Sequence, residues 1–103
     1  MNNLKSVNIL GHVYPLRPKK RPLDEGFVGR LDRVDGEIRL DKRACPEWQA
    51  RILLHEVAHD WADLNDLRGG EHLVKALSLC VFSFIRDNPA LVKAIQKSKA
   101  ILR

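Results

Sequence analysis

Long apolar runs are missing from this chain of 103 residues, and their absence argues against a membrane-spanning helix. The longest run, at residues 77–85, is too short to cross a bilayer and is interrupted by serines. The first six residues are polar, and no apolar segment with a cleavage site follows them. We therefore expect no secretory signal peptide and no membrane partner, and we predict a cytoplasmic location.

Cysteine is scarce, which argues against a disulfide-stabilised scaffold. Cys45 and Cys80 are far apart and form no C-x-x-C pair. Cys80 lies in an apolar run, so we expect it to be a small core residue. Cys45 lies near the expected start of a helix, where we interpret it as an inert boundary residue; a thiolate metal ligand or inhibitory switch is the alternative. A reducing compartment is consistent with this usage.

Aromatic residues make up only 6% of the chain, and none is interleaved among the basic residues. The net charge is +5, from 18 Lys and Arg against 13 Asp and Glu. The positive charges cluster at residues 17–21 and in the C-terminal segment, where a solvated loop and a solvated helix face explain them. Without aromatic side chains for base stacking, nucleic-acid binding is not expected.

The N-terminal part of the chain carries the alternation of apolar and polar residues that is typical of strands. We predict three strands, at residues 5–16, 27–32 and 37–41. Gly11 indicates a bend or bulge in the first strand. Asp35 and Gly36 lie between the other two and are a strong hairpin signal. The third strand is a candidate for a sheet edge, to which an extended peptide would pair.

The C-terminal part is predicted to be helical. Pro46 begins a helix that runs to about Leu64. Proline suits the first turn of a helix, because an N–H at that position would have no partner within the helix and proline has none. A second helix, at residues 71–87, is apolar over more than half of its circumference. We therefore expect it to be the most buried element, packed on both the sheet and the first helix. A short amphipathic helix follows Pro89, with an apolar face that extends to Leu102.

These elements predict an α+β fold in a single domain of residues 1–103. Residues 1–45 form a small three-stranded antiparallel or mixed sheet. Residues 46–103 form a helical half of two long helices and a short C-terminal helix.

The first helix contains the triplet His55, Glu56 and His59 in the pattern H-E-x-x-H. Residues i and i+4 lie on one face of a helix, so both imidazoles can reach one metal ion. The carboxylate of Glu56 is rotated by about 100° from the first histidine, which suits a general base better than a ligand. The pattern predicts a zinc site of the kind found in metallopeptidases.

A catalytic zinc ion normally takes three protein ligands, so a third is expected downstream. Asp63 lies about 12 Å along the helix from His55 and is too distant for a shared ion. It suits a hydrogen bond to His59 or a solvated position equally well. Glu71 is the preferred ligand because it opens the second helix just after the chain reversal. His72 is the alternative, and the level at which the second helix passes the metal decides between them.

The chain resembles the short, phage-type branch of zinc metallopeptidases related to ImmA/IrrE proteins. The resemblance covers nearly the whole chain and is carried by the zinc motif at residues 53–59 and by weaker matches at residues 9–11, 29–32, 37–40, 71–77 and 87–89. It implies a small sheet on a gluzincin-like helical core in a cytoplasmic protein of a bacterial host. It also implies zinc bound by His55, His59 and Glu71, with Glu56 as the general base for hydrolysis of a peptide or protein substrate.

Two departures from this family matter for function. Asp60 follows the second histidine, where an uncharged residue is usual, and would alter metal affinity or activity. The chain also has no helix-turn-helix partner domain and no long substrate-binding half, which leaves the substrate open. No oxyanion stabiliser is evident; Tyr14, His12 and His72 are candidates. The alternative function is a catalytically silent, zinc-stabilised module that sequesters a host or repressor protein.

Overall fold

The protein is described by a computed structural model over residues 4–19 and 29–102. Four strands are β1 (Ser6–Ile9), β2 (His12–Pro18), β3 (Gly29–Asp32) and β4 (Glu37–Leu40). Three helices are α1 (Pro46–Leu64), α2 (Gly70–Asp87) and α3 (Pro89–Gln96). The mixed α and β architecture is confirmed, with two long helices and one short C-terminal helix. The predicted sheet had three strands, and the described part of the chain has four.

The additional strand arises because the predicted first strand is a hairpin. Leu10 and Gly11 have φ angles of 50° and 95°, and two consecutive positive angles reverse the chain between β1 and β2. The Gly11 N–H donates to the Asn8 side chain at 2.8 Å. Gly11 was expected to mark only a bend or bulge, because positive φ at a leucine cannot be anticipated from sequence.

The strands lie in the order β1-β2-β4-β3, so β4 is internal and β3 is an edge strand. β4 pairs in parallel with β2 and antiparallel with β3. The prediction that residues 37–41 form the sheet edge is therefore wrong. The start of the predicted second strand, at residues 27–28, lies outside the described residues.

The predicted turn between β3 and β4 is confirmed. The Asp32 carboxylate accepts hydrogen bonds from the N–H groups of Val34 and Asp35 at 2.9 and 3.1 Å. These bonds, that of Asp35 first, hold the pKa of Asp32 below its ordinary value. Gly36 has a φ of 67°, which a glycine adopts without strain.

Helix α1 is the element that joins the two halves of the fold. It begins at Pro46 and ends at Leu64, as predicted. One side packs on the sheet around the buried residues Ile9, Tyr14, Ile38 and Val57, and another packs on α2 around Ala58, Ala62 and Val74. The approach to β3 is so close that a Cβ at Gly29 would overlap the Cγ2 methyl of Ile52. Glycine is therefore needed at this position.

The prediction that α2 is the most buried element is wrong. Among the described residues it contacts α1 and α3 but no strand. Its buried residues Val74, Ser78 and Phe82 recur every four positions, which is the single stripe that one partner helix covers. Leu79, Phe84 and Ile85 on the same helix are exposed, and so is Cys80, which was expected in the core.

Helix α3 is shorter than its apolar pattern suggested. It ends at Gln96, and Ser98 has a φ of 52°, which turns the chain away from helical geometry. Ile101 and Leu102, which were expected on its apolar face, are 70% and 87% exposed. No helix within residues 4–19 and 29–102 combines the length and the hydropathy that a bilayer crossing requires.

Candidate metal centre

Two histidines of α1 and one glutamate of α2 converge on a single point. The rings of His55 and His59 lie one helical turn apart in an edge-to-face arrangement, with centroids separated by 4.9 Å. The carboxylate of Glu71 lies between them, with one oxygen 2.6 Å from His55 Nε2 and the other 3.1 Å from His59 Nε2. The structure therefore brings together the three residues predicted as metal ligands.

The chain reversal between α1 and α2 places Glu71 at this level. Asp66 and Gly70 have φ angles of 52° and 59°, and Gly69 has a φ of 150°, so the reversal depends on left-handed backbone at three positions. A Cβ at Gly69 would lie 2.7 Å from that of Leu73, which also requires glycine. The first turn of α2 consequently lies beside the helical turn that carries His55 and His59.

The donor set fits a zinc ion. Two imidazoles and one carboxylate form the ligand set of many catalytic zinc sites. One donor atom from each residue lies within 4.8 Å of the others, and a tetrahedral ion needs donors roughly 3.4 Å apart, so small side-chain rotations suffice. The side chains of His55, His59 and Glu71 are 28%, 40% and 54% exposed, so the group is partly open to solvent.

The alternative ligands lie elsewhere. Among the described residues, His72, Asp63 and Cys45 are outside the group whose donor atoms converge. Asp63 forms an ion pair with Arg33 at 3.2 Å, and this contact replaces the suggested hydrogen bond to His59. Cys45 is an exposed residue that precedes α1.

Glu56 is held by the edge strand. Its Oε1 accepts a hydrogen bond from the backbone N–H of Leu31 at 2.9 Å. In an antiparallel pair, alternate residues direct their N–H groups away from the partner strand, so this N–H belongs to the free edge of β3. Sequence reasoning missed this contact because it joins two segments that are 25 residues apart.

Asp60 is a buried anchor one turn after Glu56, on the same face of α1. Its side chain is 0% exposed and forms an ion pair with Arg33, and its Oδ2 lies 3.4 Å from the Tyr14 hydroxyl that donates to it. The hydrogen bond with Asp60 raises the pKa of the Arg33 guanidinium. Asp60 was flagged as a departure that would affect the metal. The structure gives it a role in joining α1 to the β3–β4 turn.

A cleft of about 810 Å³ opens beside His55 and Glu56. Its lining includes four cationic side chains, from Lys19, Arg43, Arg51 and Lys75, and two carboxylates, from Asp41 and Glu56. Trp48, Ile52, Leu79 and Phe82 supply apolar surface. The size and the mixture of apolar walls with a few polar groups are typical of small-ligand and peptide sites.

Part of the positive charge in the cleft is neutralised internally. The Arg43 guanidinium forms two hydrogen bonds to the Asp41 carboxylate, at 3.0 and 2.8 Å, and Lys19 lies 3.9 Å from the same group. The hydrogen bonds from Arg43, followed by the charge of Lys19, hold the pKa of Asp41 well below its usual range. Asp41 is thus an anion that organises the cations at one end of the cleft.

Of the cationic residues of the cleft, only Lys19 was considered from the sequence, as part of a solvated loop, but its side chain is largely buried beside Asp41. A partial signal was available for two of them, because Arg51 lies four positions before His55 and Lys75 lies four positions after Glu71. Comparisons with protein-family models, curated proteins and solved structures found no significant match to this chain.

Proposed function

We propose that this chain is a zinc-dependent metallopeptidase, similar to the ImmA/IrrE type, that hydrolyses a peptide or protein substrate in the cytoplasm. The observation that carries the proposal is the convergence of His55, His59 and Glu71, together with a cleft that both His55 and Glu56 line. The two cysteines are free and exposed, as is usual in a reducing compartment.

The ligands and the base have separate roles in the proposed reaction. His55, His59 and Glu71 would hold zinc, which when bound supplies a Lewis acid that polarises a carbonyl and makes water a nucleophile near neutral pH. Glu56 would take a proton from the attacking water at a carboxylate oxygen and later donate it to the leaving amine.

The edge strand orients the base for this work. The Leu31 N–H donates a hydrogen bond to Oε1 of Glu56, and the other carboxylate oxygen takes no part in this bond. The exposed side of the ligand group and the cleft lined by His55 and Glu56 would give a substrate access to the proposed ligands and the proposed base.

The test compares the wild type with Glu56→Gln, which keeps the size of the side chain and removes its basicity. Both proteins are purified without a histidine tag, loaded with zinc and examined by native mass spectrometry for one zinc ion per chain. Each is then incubated with a peptide library from digested bacterial proteins, and new termini are identified by mass spectrometry. We expect equal zinc contents and new termini with the wild type alone.

Two results would count against the proposal. Cleavage by Glu56→Gln at the wild-type rate would contradict the role of Glu56 as general base. One zinc ion per chain without any cleavage by the wild type would favour the silent binding module. That alternative draws support from the exposed apolar residues Leu79, Phe84 and Ile85 on α2, which suit a protein contact.

A further inference from the structure

The cleft beside the metal ligands carries more positive than negative charge. Its four cationic side chains face only two carboxylates, and Glu56 is one of these. Asp41 is already engaged by Arg43 and Lys19. The lining therefore has an excess of two positive charges, and among the described residues neither Arg51 nor Lys75 forms an ion pair with a carboxylate of the lining. A site with this imbalance attracts a ligand of negative charge.

Arg51 is prepared for an anion by its surroundings. Its guanidinium lies over the rings of Trp48 and Phe82, at 5.5 and 5.2 Å from their centroids. Its Nε is buried and has no hydrogen-bond partner among the described residues, since the nearest carboxylate, that of Glu47, is 4.0 Å away and more than half exposed. A buried donor without a partner is costly, and a bound acceptor would remove that cost.

Arg51 and Lys75 lie at one level, on the same side of the metal ligands. Arg51 is one helical turn before His55 on α1, and Lys75 is one turn after Glu71 on α2. One turn is about 5.4 Å, and an extended peptide advances about 3.3 Å per residue. A carboxylate bound by these two cations would therefore lie one or two residues from the bond that is cut.

We propose that the cleft selects peptides that carry a carboxylate one or two residues from the scissile bond, bound by Arg51 and Lys75. The guanidinium of Arg51 supplies paired donors, and the ammonium of Lys75 supplies a point charge. This inference rests on the proposed peptidase function, because the position of the carboxylate is defined relative to that bond. The carboxylate belongs either to an acidic side chain or to a free C-terminus.

The test measures binding and does not depend on turnover. The protein is zinc-loaded Glu56→Gln, and the probes are three fluorescently labelled hexapeptides that differ only in their carboxylates. The first has a central glutamate and an amidated C-terminus, the second has glutamine at that position, and the third has glutamine and a free C-terminus. Fluorescence anisotropy gives the dissociation constant of each peptide.

We expect a carboxylate-bearing peptide to bind at least tenfold more tightly than the neutral peptide. Preference for the first peptide assigns the site to an acidic side chain, and preference for the third assigns it to a C-terminal carboxylate. Adding Arg51→Gln or Lys75→Gln should reduce the preference to less than threefold. Lys93→Gln removes an equal charge from an exposed position on α3 that does not line the cleft, and it should leave the preference unchanged.

Each contrary result overturns the inference. Equal or undetectable binding of all three peptides would show that the cleft does not select carboxylates. A preference that survives both substitutions would assign the carboxylate to the metal ion instead. Lys75 is exposed, so its substitution tests the inference even where loss of the stacked Arg51 disturbs folding. Failure of wild-type cleavage would remove the peptidase function and leave this binding preference measurable.

Discussion

Substitution of Glu71 by glutamine is the most direct test of the metal centre, because Glu71 is the only proposed ligand on α2. Zinc bound by His55, His59 and Glu71 would join the two long helices and thereby stabilise the folded chain. An ion that binds only the folded state at 100 times its dissociation constant adds about 2.7 kcal/mol to the free energy of unfolding. For a domain of this size, that corresponds to a rise in melting temperature of about 10–20 °C.

The same substitution should matter little without metal. Glu71 is 54% exposed, and its contacts with the two histidines are surface pairs worth about 0–1 kcal/mol. With metal, loss of one of three ligands should weaken zinc binding at least tenfold. At the same free zinc concentration, the stabilisation then falls to about 1.4 kcal/mol or less. The zinc-induced rise in melting temperature should therefore be halved, while the melting temperature without zinc barely changes.

The assay is thermal unfolding followed by circular dichroism, with free zinc fixed by a metal buffer and with chelator in parallel samples. His72→Ala is the matched control, because His72 is the neighbouring residue on α2 and the alternative ligand. It should retain the full zinc-induced rise. An undiminished rise in Glu71→Gln would refute the assignment, and a reduced rise in His72→Ala would transfer the ligand role to the histidine.

Two further predictions concern the way α1 is attached to the sheet. Arg33→Ala should lower the free energy of unfolding by about 3 kcal/mol, because it leaves the buried Asp60 carboxylate without its cation. In an Asp60→Asn background the same change should cost less than about 1 kcal/mol in urea unfolding, and equal costs in both backgrounds would contradict the pairing. Gly29→Ala should cost about 1–3 kcal/mol through overlap with Ile52. The cost should fall when Ile52 is replaced by alanine, and an unchanged cost would mean that this contact is not responsible.

The sequence was informative where structure is determined locally. The bounds of α1 follow from Pro46 and from the turn formers after Leu64, and both ends lie where they were expected. The His55 and His59 spacing is likewise a property of one helix. Glu71 could be preferred because the chain reversal just before it limits where α2 can begin. These features require no knowledge of distant segments.

The errors concern partners that a linear pattern cannot identify. The apolar pattern of α2 indicated burial on several sides. Within residues 4–19 and 29–102, however, α1 is the one long element that it contacts, so a single stripe is covered. In the sheet, β3 lies at the edge and β4 lies inside. The sequence signal for a β3–β4 hairpin is the same whichever of the two strands is at the edge, so it could not distinguish these arrangements. The cleft combines residues from the sheet side and from both long helices, and its charge could not be assembled before their positions were known.

Helix α1 packs along β3 because the spacing of residues on one face of the helix is close to that of residues on one face of the strand. Helix positions four apart are separated by about 6 Å, and strand positions two apart by about 6.7 Å. Contacts between the two elements follow this spacing, since the pairs in register are Gly29 with Ile52, Leu31 with Glu56, and Arg33 with Asp60. β3 and the turn after it therefore contact α1 at three successive turns of the helix. These contacts fix the position of α1 along the strand.

A second stripe of α1, one position away from the first, consists of Arg51, His55 and His59. It faces α2, where Glu71 and Lys75 lie at the corresponding levels. Adjacent stripes differ by about 100° around the helix, so the sheet can hold one without occupying the other. Because the sheet fixes the level of the helix through the first stripe, the proposed ligands and the cleft cation on the second stripe are not used in attaching α1 to the sheet. The same rotation explains why Glu56, the proposed base, contacts β3, whereas His55 and His59, two of the proposed ligands, face α2.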